Sequence, residues 1–239
     1  MSAQSWLTAQ PIAHRGLHDM NKVRWENTLS AFQAAIDGAY AIECDVHLSS
    51  DDVPMVFHDH ALRRLTGQDG TIAGKTAAQM GALKVGDTAD HVPTLREMLA
   101  LVAGRVPLVI ELKGSDGHDD ALVARAVEAL DGYSGPVALM SFEHRLVRQL
   151  ARLAPHLPRG LTAEGLSVEA IEAHFSMLAH DLSFVSYAVT ELPNPFITFV
   201  RERLAMPVIT WTVKDQKSAD HTFANADQIT FEGFVPLVS

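Results

Sequence analysis

Charged side chains recur at a two-residue spacing within apolar segments of this sequence. Glu43 and Asp45 lie two residues apart in one segment, and Glu111 and Lys113 have the same spacing in another. Because alternate side chains of a β-strand point to the same face, each pair shares one side of its strand. Acids and cations that converge in this way suit the metal-assisted cleavage of a phosphate ester.

The three carboxylates Glu43, Asp45 and Glu111 are candidate metal ligands. Two carboxylates on one face of a buried strand are costly to desolvate unless a positive charge compensates them. Carboxylate oxygens are hard ligands, which favour Mg²⁺ or Ca²⁺ over zinc. The same spacing also fits a structural cluster in which the acids pair with Arg15 and Lys113, and the residue pattern leaves both interpretations open.

Two histidines are candidate acid/base catalysts. His14 ends the first apolar segment, and His58 precedes Asp59 shortly after the carboxylate pair. Imidazole titrates near neutrality, so one histidine could deprotonate an attacking oxygen while the other protonates the leaving oxygen. We take His14 as the base and His58 as the acid, although the residue types also allow the reverse. Asp59 is expected to orient His58 or to cap the turn.

Three further residues are candidates for contact with a substrate. Arg15 and Lys113 are suited to bind phosphate oxygens, and Trp211 either walls the pocket or fills the core. Cys44 lies between the two carboxylates of its strand and therefore points to the opposite face, where it is expected to act as a small buried hydrophobe.

The net charge and the hydropathy pattern limit which kinds of partner the protein is expected to bind. The chain has 239 residues and a formal charge of −10, from 19 basic and 29 acidic side chains. An acidic protein lacks the positive field that attracts nucleic acid or anionic membrane, whereas a small anionic substrate can still bind beside local cations. No apolar run reaches the length of a membrane helix, so stable membrane insertion is not expected. The oligomeric state stays open.

Cys44 is the single cysteine, so no internal disulfide can form. The first residues lack the basic start and long apolar stretch of a secretory signal. A reducing compartment and a cytoplasmic location are therefore expected.

Apolar, β-rich segments alternate with helical patterns along the whole chain, which predicts an α/β fold with a parallel sheet. Eight such segments favour a closed (β/α)8 barrel formed by a single domain over residues 1–239. Little sequence follows the last segment, so the final helix should be reduced or missing. The predicted strands are Pro11–Gly16, Ala41–Leu48, Pro107–Lys113, Pro136–Phe142, Arg159–Ala163, Phe184–Ala188, Pro207–Val213 and Asp227–Phe231.

Local signals mark helix starts and one insertion. Asn27 is the expected N-cap of the first helix, and Thr94 with Glu97 forms a capping-box pattern at the second. The segment Asp59–Val92 is too long for an ordinary loop. We interpret residues 60–92, approximately, as an insertion after the second strand, on the rim where barrel enzymes form their active sites.

The sequence resembles the glycerophosphodiester phosphodiesterase family over nearly its whole length. Each motif is short, but the motifs follow the order of the family and are specific as a group. They are Ala13-His14-Arg15-Gly16, Glu26-Asn27-Thr28, Ile42-Glu43-Cys44-Asp45-Val46, Asp51–Asp59, Val92–Leu95, Val109–Lys113, Ser141-Phe142 and Trp211-Thr212-Val213.

This resemblance implies a TIM barrel with a small insertion after the second strand. It implies a divalent cation at Glu43, Asp45 and Glu111, and phosphate contacts from the two basic candidates. It also places the acid/base pair on His14 and His58. Glu26 matches a motif glutamate that would support the site. Phe231 stands where family members often have aspartate, which puts the closure of the rim in doubt.

The leading hypothesis is metal-dependent hydrolysis of glycerophosphodiesters to glycerol 3-phosphate and an alcohol, by acid/base catalysis with two histidines. One alternative is a phosphodiesterase of the lysophospholipase D or sphingomyelinase D type, for which Met80, Ala82 and Leu83 would have to form an apolar entrance. Another is a non-catalytic barrel that binds phosphorylated metabolites, although binding alone needs no acid/base pair.

Overall fold

The computed structural model describes residues 5–114 and 119–237. Its strands form a single sheet, and most of them coincide with the apolar segments of the sequence. The strands are β1 (Ile12–Ala13), β2 (Ala41–Leu48), β3 (Pro54–Val56), β4 (Leu108–Leu112), β5 (Val137–Ser141), β6 (Arg159–Ala163), β7 (Phe184–Ala188), β8 (Val208–Val213) and β9 (Gln228–Phe231).

The sheet closes into a barrel because β1 pairs in parallel with both β2 and β9. Parallel pairing continues through β2, β4, β5, β6, β7, β8 and β9, so eight parallel strands complete the ring. The predicted (β/α)8 TIM barrel is confirmed. The short strand β3 was not predicted, and it pairs antiparallel with the last three residues of β2, at the C-terminal end of that strand.

Helices connect successive barrel strands and cover the outside of the sheet. They are α1 (Leu29–Asp37), α2 (Arg63–Thr66), α3 (Ala77–Gly81), α4 (Leu95–Val102), α5 (Leu122–Ala129), α6 (His144–Leu153), α7 (Val168–Met177), α8 (Pro195–Leu204) and α9 (Gln216–Asn225). After β9, residues 232–237 contain no helix, as predicted. Within the described ranges, no helix is both long and apolar enough to cross a membrane.

The two predicted caps have different outcomes. Thr94 and Glu97 form the complete capping box of α4. The expectation for Asn27 was wrong, because Thr28 caps α1 by accepting a hydrogen bond from the backbone N–H of Ala31. Asn27 instead turns inward, with a φ of 55°, and donates to a carboxylate of the site.

Apolar side chains fill the lower part of the barrel interior. Ile12, Val109 and Ile209 are buried there, and Leu7 from a short 3-10 helix packs beneath them. Phe184 occupies space left by Gly160, where an added Cβ would lie 2.3 Å from the Phe184 ring. This packed floor restricts polar groups to the upper, C-terminal end of the strands, where barrel enzymes bind their substrates.

The insertion folds over its own small hydrophobic cluster and is more than a solvated loop. The cluster consists of Met55, Phe57, Leu62, Leu65, Ile72, Met80, Val85 and Val92. Met80 is fully buried in it. An apolar entrance that includes Met80 is therefore not present, and this part of the lysophospholipase D hypothesis was wrong.

Candidate active site

Three buried carboxylates meet at the upper end of adjacent strands. Glu43 and Asp45 lie on β2, and Glu111 lies on β4 directly opposite Asp45 in the strand register. Each offers an oxygen within 4.8 Å of the other two, and the side chains are at most 7% exposed. The period-two geometry of the strands thus brings the three predicted ligands together, as a hard divalent cation requires.

The carboxylates repel one another, which is the physical reason that a cation fits between them. Burial raises the pKa of Glu43 well above its usual range, and the nearby charges of Asp45 and Glu111 raise it further. A divalent cation would offset this repulsion and the cost of burying the charges. The donor set therefore fits Mg²⁺ or Ca²⁺.

Two basic side chains share the same acids. Arg15 Nε lies 3.3 Å from Asp45 Oδ2, and Lys113 Nζ lies 3.1 Å from Asp45 Oδ1. Lys113 also contacts Glu111. Burial alone would raise the pKa of Asp45, but Lys113 and Arg15 hold it well below its usual range. Salt bridges and a candidate metal site therefore occupy one cluster, and the two interpretations of the sequence are compatible.

The backbone after β1 is shaped to face this cluster. Arg15 has a φ of 55°, an uncommon left-handed conformation for a residue with a side chain, and Gly16 has a φ of 78°. The turn directs the backbone N–H of Arg15 to Glu43 Oε2 at 2.8 Å. An added Cβ at Gly16 would lie 2.9 Å from the backbone of Ala31, so the close packing of this turn needs glycine.

His14 is held between two carboxylates. Its Nδ1 lies 2.6 Å from Glu232 Oε2, and its Nε2 lies 3.9 Å from Glu43 Oε2. Because a carboxylate only accepts hydrogen bonds, the proton resides on Nδ1 and the Nε2 side faces the acidic cluster. Burial lowers the pKa of His14, and the hydrogen bond to Glu232 partly offsets this effect.

Glu232 was not predicted from the sequence, yet several side chains contact it. Besides His14, it lies 3.0 Å from Lys214 Nζ and 3.5 Å from His18 Nε2. Phe231, at the family's aspartate position, is buried and packs against the Tyr40 ring at 5.0 Å. At this rim, Phe231 therefore faces outward, and the next residue, Glu232, faces the site.

His58 lies apart from the innermost cluster. Its Nδ1 bonds to Asp59 Oδ1 at 2.7 Å. Of the two roles expected for Asp59, this contact corresponds to orienting the His58 ring. The backbone oxygen of His58 lies 2.9 Å from His47 Nε2. The His58 side chain is 30% exposed and is not among the residues that line the central cavity. Burial lowers its pKa, and Asp45 partly offsets this.

Glu26 connects the site to the insertion. It accepts a hydrogen bond of 2.6 Å from Arg15 Nη1 and two hydrogen bonds of 2.8 Å from Arg64, which lies in α2 of the insertion. Burial alone would raise the pKa of Glu26, but Arg64 and Arg15 lower it to about 2. Asn27, the next residue, donates from Nδ2 to Asp45 Oδ2 at 2.9 Å. Its place within the Glu26-Asn27-Thr28 motif was the available signal for this contact.

A cavity opens over the carboxylates between the strand ends. Trp211 lines it and packs edge-on against Phe142, with ring centroids 5.2 Å apart. Lys113 Nζ lies 5.7 Å from the Phe142 ring centre. The residues lining this cavity are His14, Arg15, Glu43, Asp45, Glu111, Lys113, Met140, Phe142, Ser186, Trp211, Thr212 and Thr230. Its position at the C-terminal end of a barrel is typical of an active site.

Two known proteins are similar to this chain, one in sequence and one in structure. A glycerophosphodiester phosphodiesterase of Caldanaerobacter subterraneus is 32% identical over 181 residues, which cover 72% of this chain and 73% of the relative. An Oleispira antarctica phosphodiesterase, solved with the product sn-glycerol-3-phosphate, has a TM-score of 0.80 at 25% identity, covering 94% of this chain and 92% of the other.

A third similarity concerns the fold alone. The glycerophosphodiester phosphodiesterase of Thermotoga maritima has a TM-score of 0.75 at 22% identity, over 92% of each chain.

The model of the glycerophosphoryl diester phosphodiesterase family matches residues 14–230, which span the barrel from His14 to the last strand. This chain therefore belongs to the glycerophosphoryl diester phosphodiesterase family.

Proposed function

We propose that this protein hydrolyses glycerophosphodiesters to glycerol 3-phosphate and an alcohol. The observation that carries the proposal is the meeting of three carboxylates, two cations and His14 in one cavity of a chain from this family. The net negative charge of the protein does not oppose an anionic substrate here, because Arg15 and Lys113 supply local positive charge. We further propose that residues 1–239 act as one domain in the cytoplasm.

Glu43, Asp45 and Glu111 are proposed to hold one Mg²⁺ or Ca²⁺ ion. When bound, such an ion neutralises phosphate charge and makes an attacking oxygen more acidic. Arg15 and Lys113 are proposed to bind the phosphate oxygens, with Arg15 held in place by Glu26 and Asp45. Trp211 forms part of the wall against which the substrate packs.

His14 is proposed as the general base. Glu232 fixes the proton on Nδ1, so Nε2 can accept a proton from the attacking oxygen, and the carboxylate stabilises the imidazolium that forms. His58 is proposed as the general acid that protonates the leaving alcohol, with Asp59 orienting its partly exposed ring. The different depths of the two rings support this division, since only His14 lines the cavity.

A substrate and metal panel tests the proposal. Purified protein is stripped with EDTA and then incubated with glycerophosphocholine and Mg²⁺ or Ca²⁺, and glycerol 3-phosphate is detected by a coupled dehydrogenase assay. We expect turnover with at least one of the ions and none in EDTA. Lysophosphatidylcholine is the comparison substrate. Its cleavage at the same bond gives lysophosphatidic acid and choline, so choline release is measured for both substrates. Faster cleavage of the lysolipid would contradict the substrate class, and unchanged turnover in EDTA would contradict the metal.

A further inference from the structure

Two buried hydroxyl groups face the same cavity and lack hydrogen-bond partners in the described parts of the chain. Ser186 lies on β7 and Thr230 on β9, and these residues are 0% and 1% exposed. Between them on β8, the Nε1 of Trp211 is also without a partner in the same ranges. Buried polar groups in native proteins are nearly always hydrogen-bonded, so unpartnered ones that line a cavity point to a polar ligand.

The two walls of the cavity differ in charge. The wall from β1, β2 and β4 bears carboxylates and cations and suits a metal ion and a phosphate. Among the described lining residues, those from β7 and β9 are neutral. A serine or threonine hydroxyl can both donate and accept a hydrogen bond, which matches the alcohol groups of a polyol. A quaternary ammonium group would be better satisfied by carboxylates or aromatic faces.

We propose that Ser186 and Thr230 form the subsite for the free hydroxyl groups of the substrate's glycerol moiety. This inference rests on the proposed function and deepens it, because it states which end of the diester lies over the neutral wall. The phosphate then contacts the charged wall, and the head-group alcohol extends toward the mouth. The two hydroxyls thereby select glycerol-bearing diesters over other phosphodiesters.

Paired substrates test the subsite directly. Ser186→Ala and Thr230→Val each remove one hydroxyl with little change in shape, and they are compared on glycerophosphocholine and on bis(p-nitrophenyl) phosphate, which has no glycerol. We expect kcat/KM for glycerophosphocholine to fall about three- to tenfold in each variant, with the second substrate unaffected. Thr162→Val is the matched control, because the Thr162 hydroxyl on β6 is buried and also unpartnered in the described ranges but does not line the cavity.

A binding measurement separates the subsite from the proposed function. Isothermal titration in the presence of the divalent ion should show weaker binding of sn-glycerol 3-phosphate to Ser186→Ala and Thr230→Val, with the affinity for inorganic phosphate unchanged. Equal losses for both ligands, or no loss for either, would overturn the subsite. If the wild type cleaves neither diester, the proposed function fails, and this titration still decides whether the hydroxyls bind glycerol.

Discussion

The Nδ1 atom of His14 and the Oε2 atom of Glu232 are 2.6 Å apart, although the two residues are separated by 218 positions in the sequence. The first and last strands of the barrel, β1 and β9, pair with each other. His14 follows directly after β1, and Glu232 follows directly after β9. Ring closure therefore creates an acid–imidazole pair at the seam. The other carboxylate oxygen of Glu232, Oε1, lies 3.0 Å from Nζ of the largely exposed Lys214.

The first prediction concerns this pair. Glu232→Gln should lower kcat by roughly 100-fold, because an amide no longer fixes the proton on Nδ1 or stabilises the imidazolium. KM should change little, since Glu232 does not line the cavity. Glu232→Asp should restore part of kcat. Lys214→Met is the control, because the Lys214 side chain is 62% exposed and contacts Glu232 Oε1, which is not the oxygen bonded to His14. A loss confined to KM would exclude the positioning role.

The second prediction assigns the two histidines. His14→Ala and His58→Ala should each lower kcat by about 10²- to 10⁴-fold on glycerophosphocholine, the usual contribution of a general acid or base. Circular dichroism and thermal melting should show folded proteins. His60→Ala is the matched control, since His60 is exposed and lies two residues beyond His58. Near-normal turnover by either active-site variant would remove that histidine from the mechanism.

A substrate with an activated leaving group separates the two roles. Hydrolysis of a p-nitrophenyl diester needs little help from a general acid, because p-nitrophenolate leaves without protonation. His58→Ala should therefore be much less impaired on this substrate than on glycerophosphocholine, whereas His14→Ala should be impaired on both. The reverse pattern would exchange the assignments.

The third prediction concerns the metal. At a concentration of Mg²⁺ or Ca²⁺ about 100 times its dissociation constant, the thermal midpoint should rise by roughly 5–10 °C, because the ion binds only the folded protein. Glu43→Gln and Glu111→Gln should abolish most of this rise. In EDTA, Glu43→Gln should be no less stable than the wild type, since it removes one of three mutually repelling carboxylates. Glu202→Gln, at an exposed position, is the control and should retain the full rise.

The fourth prediction follows from Glu26. Its pKa is lowered to about 2 in the folded protein, so its contribution to stability is present above about pH 4.5 and is lost as the pH falls toward 2. At pH 7 this amounts to about 3 kcal/mol. Glu26→Gln should therefore be less stable than the wild type at pH 7, and the difference should shrink between pH 4.5 and 2. Urea unfolding at several pH values measures it, and a constant difference would contradict the assignment.

The eight barrel strands could be predicted because each carries its own signal. Strands buried between helices and a packed interior are continuously apolar, and this pattern is local. The short strand β3 carries no such signal, since Pro54–Val56 depends on the edge of β2 for its partner. The cap of α1 was misplaced by one residue because Asn27 and Thr28 are both good caps, and only the inward turn of Asn27 toward Asp45 separates them.

The sequence by itself determined that Glu43 and Asp45 share a face, because the side chains of a strand alternate with a period of two residues. It also indicated the chemistry, since hard oxygen ligands beside imidazoles and cations suit few reactions. Only the tertiary structure decided that Glu232 contacts His14, that Arg64 of the insertion contacts Glu26, and that the site has a neutral wall. Those contacts join residues far apart in the chain, and no local pattern records which distant strand closes the ring.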